Sequence, residues 1–126
     1  MKNPRSKKLL EVHPDEFPKA EYLYREAVGA FLEADDDYWI LDDMSKDVLA
    51  SVITEVEKAM EGKVSEAKLE RLARNHPEWK AHKDGLYAAR RNRGQAKARF
   101  MKAEKYCAIL QSAIAYKRDE MTRLHG

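Results

Sequence analysis

From Pro77 almost to the C-terminus, Trp79, Leu86, Arg93, Phe100, Cys107, Ile114 and Met121 stand seven residues apart. Three residues further on, His82, Ala89, Ala96, Ala103, Leu110, Lys117 and Leu124 form a second row, completing the a and d positions of a heptad seam. A seam sustained beyond three or four heptads specifies a long helix lying along another helix, because a 3.5-residue period keeps one stripe turned to the partner. The pattern predicts a helix over about 77–124, which at ~1.5 Å per residue is about 72 Å long. That exceeds the diameter of a compact domain of 126 residues, so the seam is expected to meet a neighbouring chain. The expected homo-oligomer interface comprises Trp79, Leu86, Ala89, Ala96, Phe100, Ala103, Leu110 and Ile114, with the alanines allowing close approach. Gly85 and Gly94 each cost about 1 kcal/mol relative to alanine, so a break near Asn92–Gly94 is the alternative. The unchanged heptad phase on both sides favours continuity. Arg93, a charge inside the seam, either snorkels or pairs with an acid on the partner, and such a residue often sets register or oligomer state.

The rest of the chain reads as helical too, giving an all-α single domain over 1–126 with two or three short helices before the long one. Residues 1–14 read as a flexible basic tail carrying Lys2, Arg5, Lys7 and Lys8. Asp15, Glu16 and Pro18 mark a helix start, because acids suit the positive end of the dipole and proline is tolerated at an early position. The spacing of Phe17, Leu23, Tyr24, Ala27, Phe31 and Leu32 predicts a helix over about 18–34 that stops at Asp35-Asp36-Asp37. Tyr38-Trp39-Ile40-Leu41 either caps the core or continues the helix. Val48, Leu49, Val52, Ile53, Val56, Ala59 and Met60 predict a second helix over about 44–61, closed by Gly62. Ser65 caps a short third helix through about Arg74, and Asn75-His76-Pro77 breaks the chain before the long helix.

Several function classes are disfavoured. No apolar run approaches the ~20 residues that span a bilayer, and Met1–Leu10 lacks the apolar core of a secretory signal, so a cytoplasmic protein is expected. Cys107 is the one cysteine, which excludes an internal disulfide, and no second cysteine or histidine stands at zinc-ligand spacing. There is no glycine-rich phosphate loop, no His-Glu-x-x-His and no nucleophile with a convincing base. The expectation is a non-enzymatic protein with no cofactor and no metal.

Charge supplies the positive clue. Residues 1–76 hold 12 Lys/Arg against 17 Asp/Glu, whereas 77–126 hold 12 against 5. Between Gly85 and Ala103 there is no acid, but Arg90, Arg91, Arg93, Lys97, Arg99 and Lys102 are present. Such uncompensated charge repels itself, whereas i,i+4 opposite pairs would have stabilised the helix, so an anionic partner is expected. One candidate is a phosphate backbone, bound with steep salt dependence and little sequence preference, with Tyr87, Phe100 and Tyr106 available for base stacking. The other is the chain's own acidic stretch 33–47, where Glu33, Asp35, Asp36, Asp37, Asp42, Asp43 and Asp47 face a single lysine. The two are compatible.

Within this basic zone Lys97-Ala98-Arg99-Phe100 resembles the Lys-Ala-Arg-Leu signature of the UvsY recombination mediators of tailed phages, and 79–124 is similar to short helical proteins of phage recombination clusters. The resemblance implies single-stranded DNA contact by Lys97 and Arg99, ring assembly, and loading of a recombinase onto strands covered by single-strand-binding protein. It implies the host cytoplasm if the chain is phage-encoded. Arg90, Arg91, Arg93 and Lys102 join on charge alone. The function expected is therefore an oligomeric helical protein binding single-stranded DNA or RNA as a recombination accessory factor. The alternative is a protein-interaction factor, an inhibitor or adaptor of a host protein, acting through 33–47 or the coiled-coil face.

Overall fold

The computed structural model describes residues 16–125; the basic tail expected at 1–14 lies outside them. The described residues are all-α, with helices α1 (Glu16–Ala59), α2 (Glu66–Arg74) and α3 (Pro77–His125). As the heptad pattern predicts, α3 is one helix of 49 residues passing through Gly85 and Gly94 without a break. The α2 start is also as expected: the Ser65 hydroxyl accepts a hydrogen bond from the Lys68 backbone N–H at 3.3 Å. The turn before it contains Gly62 at φ +85°, a left-handed conformation that L side chains resist.

The N-terminal half departs from expectation. The helix end expected at Asp35-Asp36-Asp37 does not occur, and α1 continues through Tyr38–Leu41 into the segment assigned to a separate helix, giving 44 residues in all. The reason is a second heptad ladder. Phe17, Tyr24, Phe31, Tyr38, Ser45 and Val52 stand seven apart, accompanied by Ala20, Ala27, Ala34, Leu41 and Val48, and all eleven are buried or half-buried. The acids do not interrupt this stripe. Asp35 and Asp42 lie half-buried along its edge, while Asp36, Asp37 and Asp43 are exposed. Aspartate lowers helix propensity by at most about 0.7 kcal/mol per residue, whereas burying one large apolar side chain contributes about 1.5–3 kcal/mol. The stripe wins.

The chain forms two compact units. In one, residues 16–31 pair antiparallel with 95–125. Phe100 lies 5.7 Å from the Tyr24 ring and 5.9 Å from the Phe31 ring, centroid to centroid, stacked on the latter at 10°. Ala20, Leu110 and Ala113 are buried there. The other unit, residues 32–94, joins the remainder of α1, all of α2 and the start of α3 around Val52, Leu69, Ala73, Trp79, Leu86 and Ala89. Its α1 and α3 segments are also antiparallel, since Asp35 meets Arg93 and Ser45 meets His82.

Within each unit the seam is covered by another segment of the same chain. Of the residues assigned to an oligomer interface, Trp79, Leu86, Ala89 and Leu110 are only 1–9% exposed in the single chain, and Ala96, Phe100, Ala103 and Ile114 are half-buried.

Two substitutions test this packing. A Cβ added at Gly94 meets nothing within 4 Å, so Gly94→Ala should raise unfolding stability by about 1 kcal/mol. Leu110 is 1% exposed, and Leu110→Ala should lower stability by about 3 kcal/mol. Urea unfolding followed by circular dichroism reads both, and a destabilising Gly94→Ala would contradict an uninterrupted α3.

Candidate interaction surfaces

The six cations expected to contact nucleic acid divide into five and one. Arg90 and Arg91 in the second unit, and Lys97, Arg99 and Lys102 in the first, are exposed and make no hydrogen bond or ion pair with a described residue. Within the Lys97–Phe100 signature the helix turns both cations to solvent and Phe100 inward, against Tyr24 and Phe31. Phe100 is thereby withdrawn from the residues available to stack on bases. Tyr106 is 45% exposed, one heptad beyond Arg99 on the same helical azimuth, with Lys102 between them. Tyr87 is 53% exposed, and the Lys83 ammonium lies 5.4 Å from its ring centroid.

Arg93 is the exception, and its place in the seam explains why. Its Nε donates to Asp35 Oδ1 at 2.5 Å, and its guanidinium lies 5.7 Å from the Tyr38 ring and 5.9 Å from the Trp39 ring. The same carboxylate oxygen accepts the Trp39 indole N–H at 3.2 Å. One acid thus neutralises the seam charge and fixes the orientation of a tryptophan that is 48% exposed. Of the acidic stretch 33–47, Asp35 is the residue that meets a cation of the basic zone; Glu33, Asp36, Asp37, Asp43 and Asp47 are exposed and Asp42 half-buried.

Other polar groups have structural uses. Ser45 Oγ donates to the Leu41 carbonyl at 3.3 Å and lies 2.8 Å from His82 Nε2. The hydroxyl thus joins the Leu41 carbonyl to His82, whose ring stacks on Trp79 at 5.6 Å. Glu55, His76 and Glu78 bring three potential ligand atoms within 4.8 Å of one another. His76 Nδ1, however, accepts the Glu78 backbone N–H at 3.2 Å and so caps α3. A metal on Nε2 would require the proton on Nδ1, which would remove that cap. On the outer side of α1 the Tyr22 phenol is held above its ordinary range, because it is hydrogen-bonded to Glu26 and that carboxylate's charge opposes a phenolate. Cys107 is half-buried in the seam. No helix among the described residues is long and apolar enough to cross a membrane.

No family model, curated protein or solved structure matches the chain.

The Asp35–Arg93 pair is accessible to a double-mutant cycle. The side chains are 27% and 34% exposed, so Asp35→Ala should cost only about 1 kcal/mol. Asp35→Leu/Arg93→Met, which fills the seam with apolar atoms, should recover most of that loss. Chemical denaturation of the parent, Asp35→Leu, Arg93→Met and the double variant measures the coupling, and strict additivity would show that the pair makes no energetic contribution.

Proposed function

We propose that the protein is a non-enzymatic helical factor that binds single-stranded nucleic acid through phosphate contacts from Arg90, Arg91, Lys97, Arg99 and Lys102. The observation that carries this reading is five exposed cations without an acidic partner among the described residues, on a stretch of α3 that contains no acid. Folding gives these charges nothing in return for their mutual repulsion, so a polyanion is the partner that offsets them. Each unit offers its own set, two cations in one and three in the other. A single strand is favoured over a duplex because Tyr106 shares a helical face with Arg99 and Lys102 in the first unit, an aromatic surface that unpaired bases stack on. The resemblance of Lys97–Phe100 to the UvsY mediators extends the proposal to an accessory role in recombination. In that role the strand-bound protein meets a recombinase or a single-strand-binding protein, and assembly of several copies would use surfaces outside the α1–α3 seam.

Titration of a fluorescent oligonucleotide over a salt series tests the binding. The three phosphate contacts of the first unit predict a log K against log[salt] slope of about −2.1, and Lys97→Ala/Arg99→Ala should flatten it by about 1.4. A salt-insensitive isotherm, or a double variant that binds like the parent, would sink the proposal, and equal affinity for a duplex would remove the preference for single strands.

A further inference from the structure

The outer face of α1 between Leu32 and Asp47 points away from the packed stripe and carries a second set of unexplained side chains. Leu32 (56%), Trp39 (48%), Ile40 (58%) and Met44 (46%) are all largely exposed. Leu32, Asp36, Ile40 and Met44 follow one i,i+4 row, so an acid lies within the apolar surface rather than beside it, and Asp37, Asp43 and Asp47 complete the face. Nothing in the helix requires these apolar residues outside, where lysine or glutamate would favour the helix equally. Contiguous exposed apolar groups in a soluble fold mark an interaction surface.

We infer that this face docks a second protein through a basic amphipathic helix, whose apolar stripe is edged by lysine and arginine. Charge complementarity selects that occupant. Four exposed aspartates accompany one exposed lysine, Lys46, on this face, so it repels phosphate backbones and anionic lipid and steers toward a basic rim. The apolar residues require an apolar stripe between those cations rather than a uniformly charged surface, and an amphipathic helix supplies both. Trp39 is the anchor, since tryptophan dominates the energetics of such contacts. Its indole is already ordered, because Asp35 holds the N–H and Arg93 holds Asp35. Rotamer entropy ordinarily lost on binding has been removed in advance. Arg93 is in this sense a positioning residue for the outer face, although it sits in the seam.

The chain has two tryptophans, so Trp79→Phe in the full-length protein leaves Trp39 as the sole reporter. The probe is a helical peptide of leucine and lysine with all leucines on one face, against a scrambled peptide of identical composition. The amphipathic peptide should shift Trp39 emission to the blue and bind at least about tenfold more tightly than the scrambled one. Calorimetric titration of the protein with its native tryptophans should give the same preference, which guards against a folding defect in Trp79→Phe. Trp39→Ala should lose about tenfold or more in affinity, Asp36→Asn/Asp43→Asn should flatten the salt dependence, and Arg93→Gln should weaken binding with the helical circular dichroism unchanged. Lys97→Ala/Arg99→Ala should bind the peptide normally, which separates this surface from the nucleic-acid proposal. Equal binding of the scrambled peptide, or full affinity in Trp39→Ala, would overturn the inference. So would concentration-dependent self-association that Trp39→Ala abolishes, which would give the face to a second copy.

Discussion

Two long helices in the same seven-residue phase are the constraint on which the rest depends. A single amphipathic helix of α3's length has no stable fold of its own in water, because its stripe must be buried and its backbone ordering costs more than propensity returns. The chain meets that requirement with α1, whose ladder Phe17, Tyr24, Phe31, Tyr38, Ser45 and Val52 matches the period of α3. In the first unit the match is visible as Phe100 held between Tyr24 and Phe31. In the second it appears as buried Val52, Trp79, Leu86 and Ala89, with Leu69 and Ala73 of α2 added to the core.

Once the seam is filled from within, polar residues divide by position rather than by sequence neighbourhood. Asp35 and Arg93 fall at its edge and neutralise one another, whereas residues one or two places away are turned to water. The unmatched remainder is an acidic, partly apolar face on α1 and a basic series on α3. A near-neutral chain thus presents two surfaces with opposite preferences. Local fields, not net charge, govern which partners approach each.

The long α3, its continuity past Gly94 and the Ser65 cap were legible because each rests on a local signal: seven heptad repeats with no phase change, and a serine at the right distance before an apolar pair. The extent of α1 was obscured by giving three consecutive aspartates more weight than periodicity. Stepping by seven from Phe17 through Tyr24 and Phe31 lands on Tyr38 and crosses the acidic run, so the signal was present. Partner identity was not legible. Arg93 visibly required an acid, but choosing Asp35 from the six aspartates of 35–47 needs the alignment of two distant segments, which no local pattern carries. The Ser45–His82 hydrogen bond was hidden for the same reason, and the ordering of Trp39 follows only from knowing where Arg93 points.

The pairing of Ser45 with His82 has a consequence for how the helices choose among alignments. Heptad seams are nearly degenerate to sliding by one repeat, since every large residue is replaced by its equivalent seven places along. Shifting α3 by one heptad along α1 in the second unit would bring Arg93 from Asp35 to Asp42, which sits seven residues on at the same edge of the stripe. The guanidinium would find a carboxylate in either alignment and so discriminates poorly. His82 would instead face Val52, and Ser45 would face Ala89, so the hydrogen bond that joins them would be lost, a net contribution of about 0.5–1.5 kcal/mol. The Ser45–His82 hydrogen bond therefore discriminates between the native alignment and its nearest competitor where the more conspicuous ion pair does not.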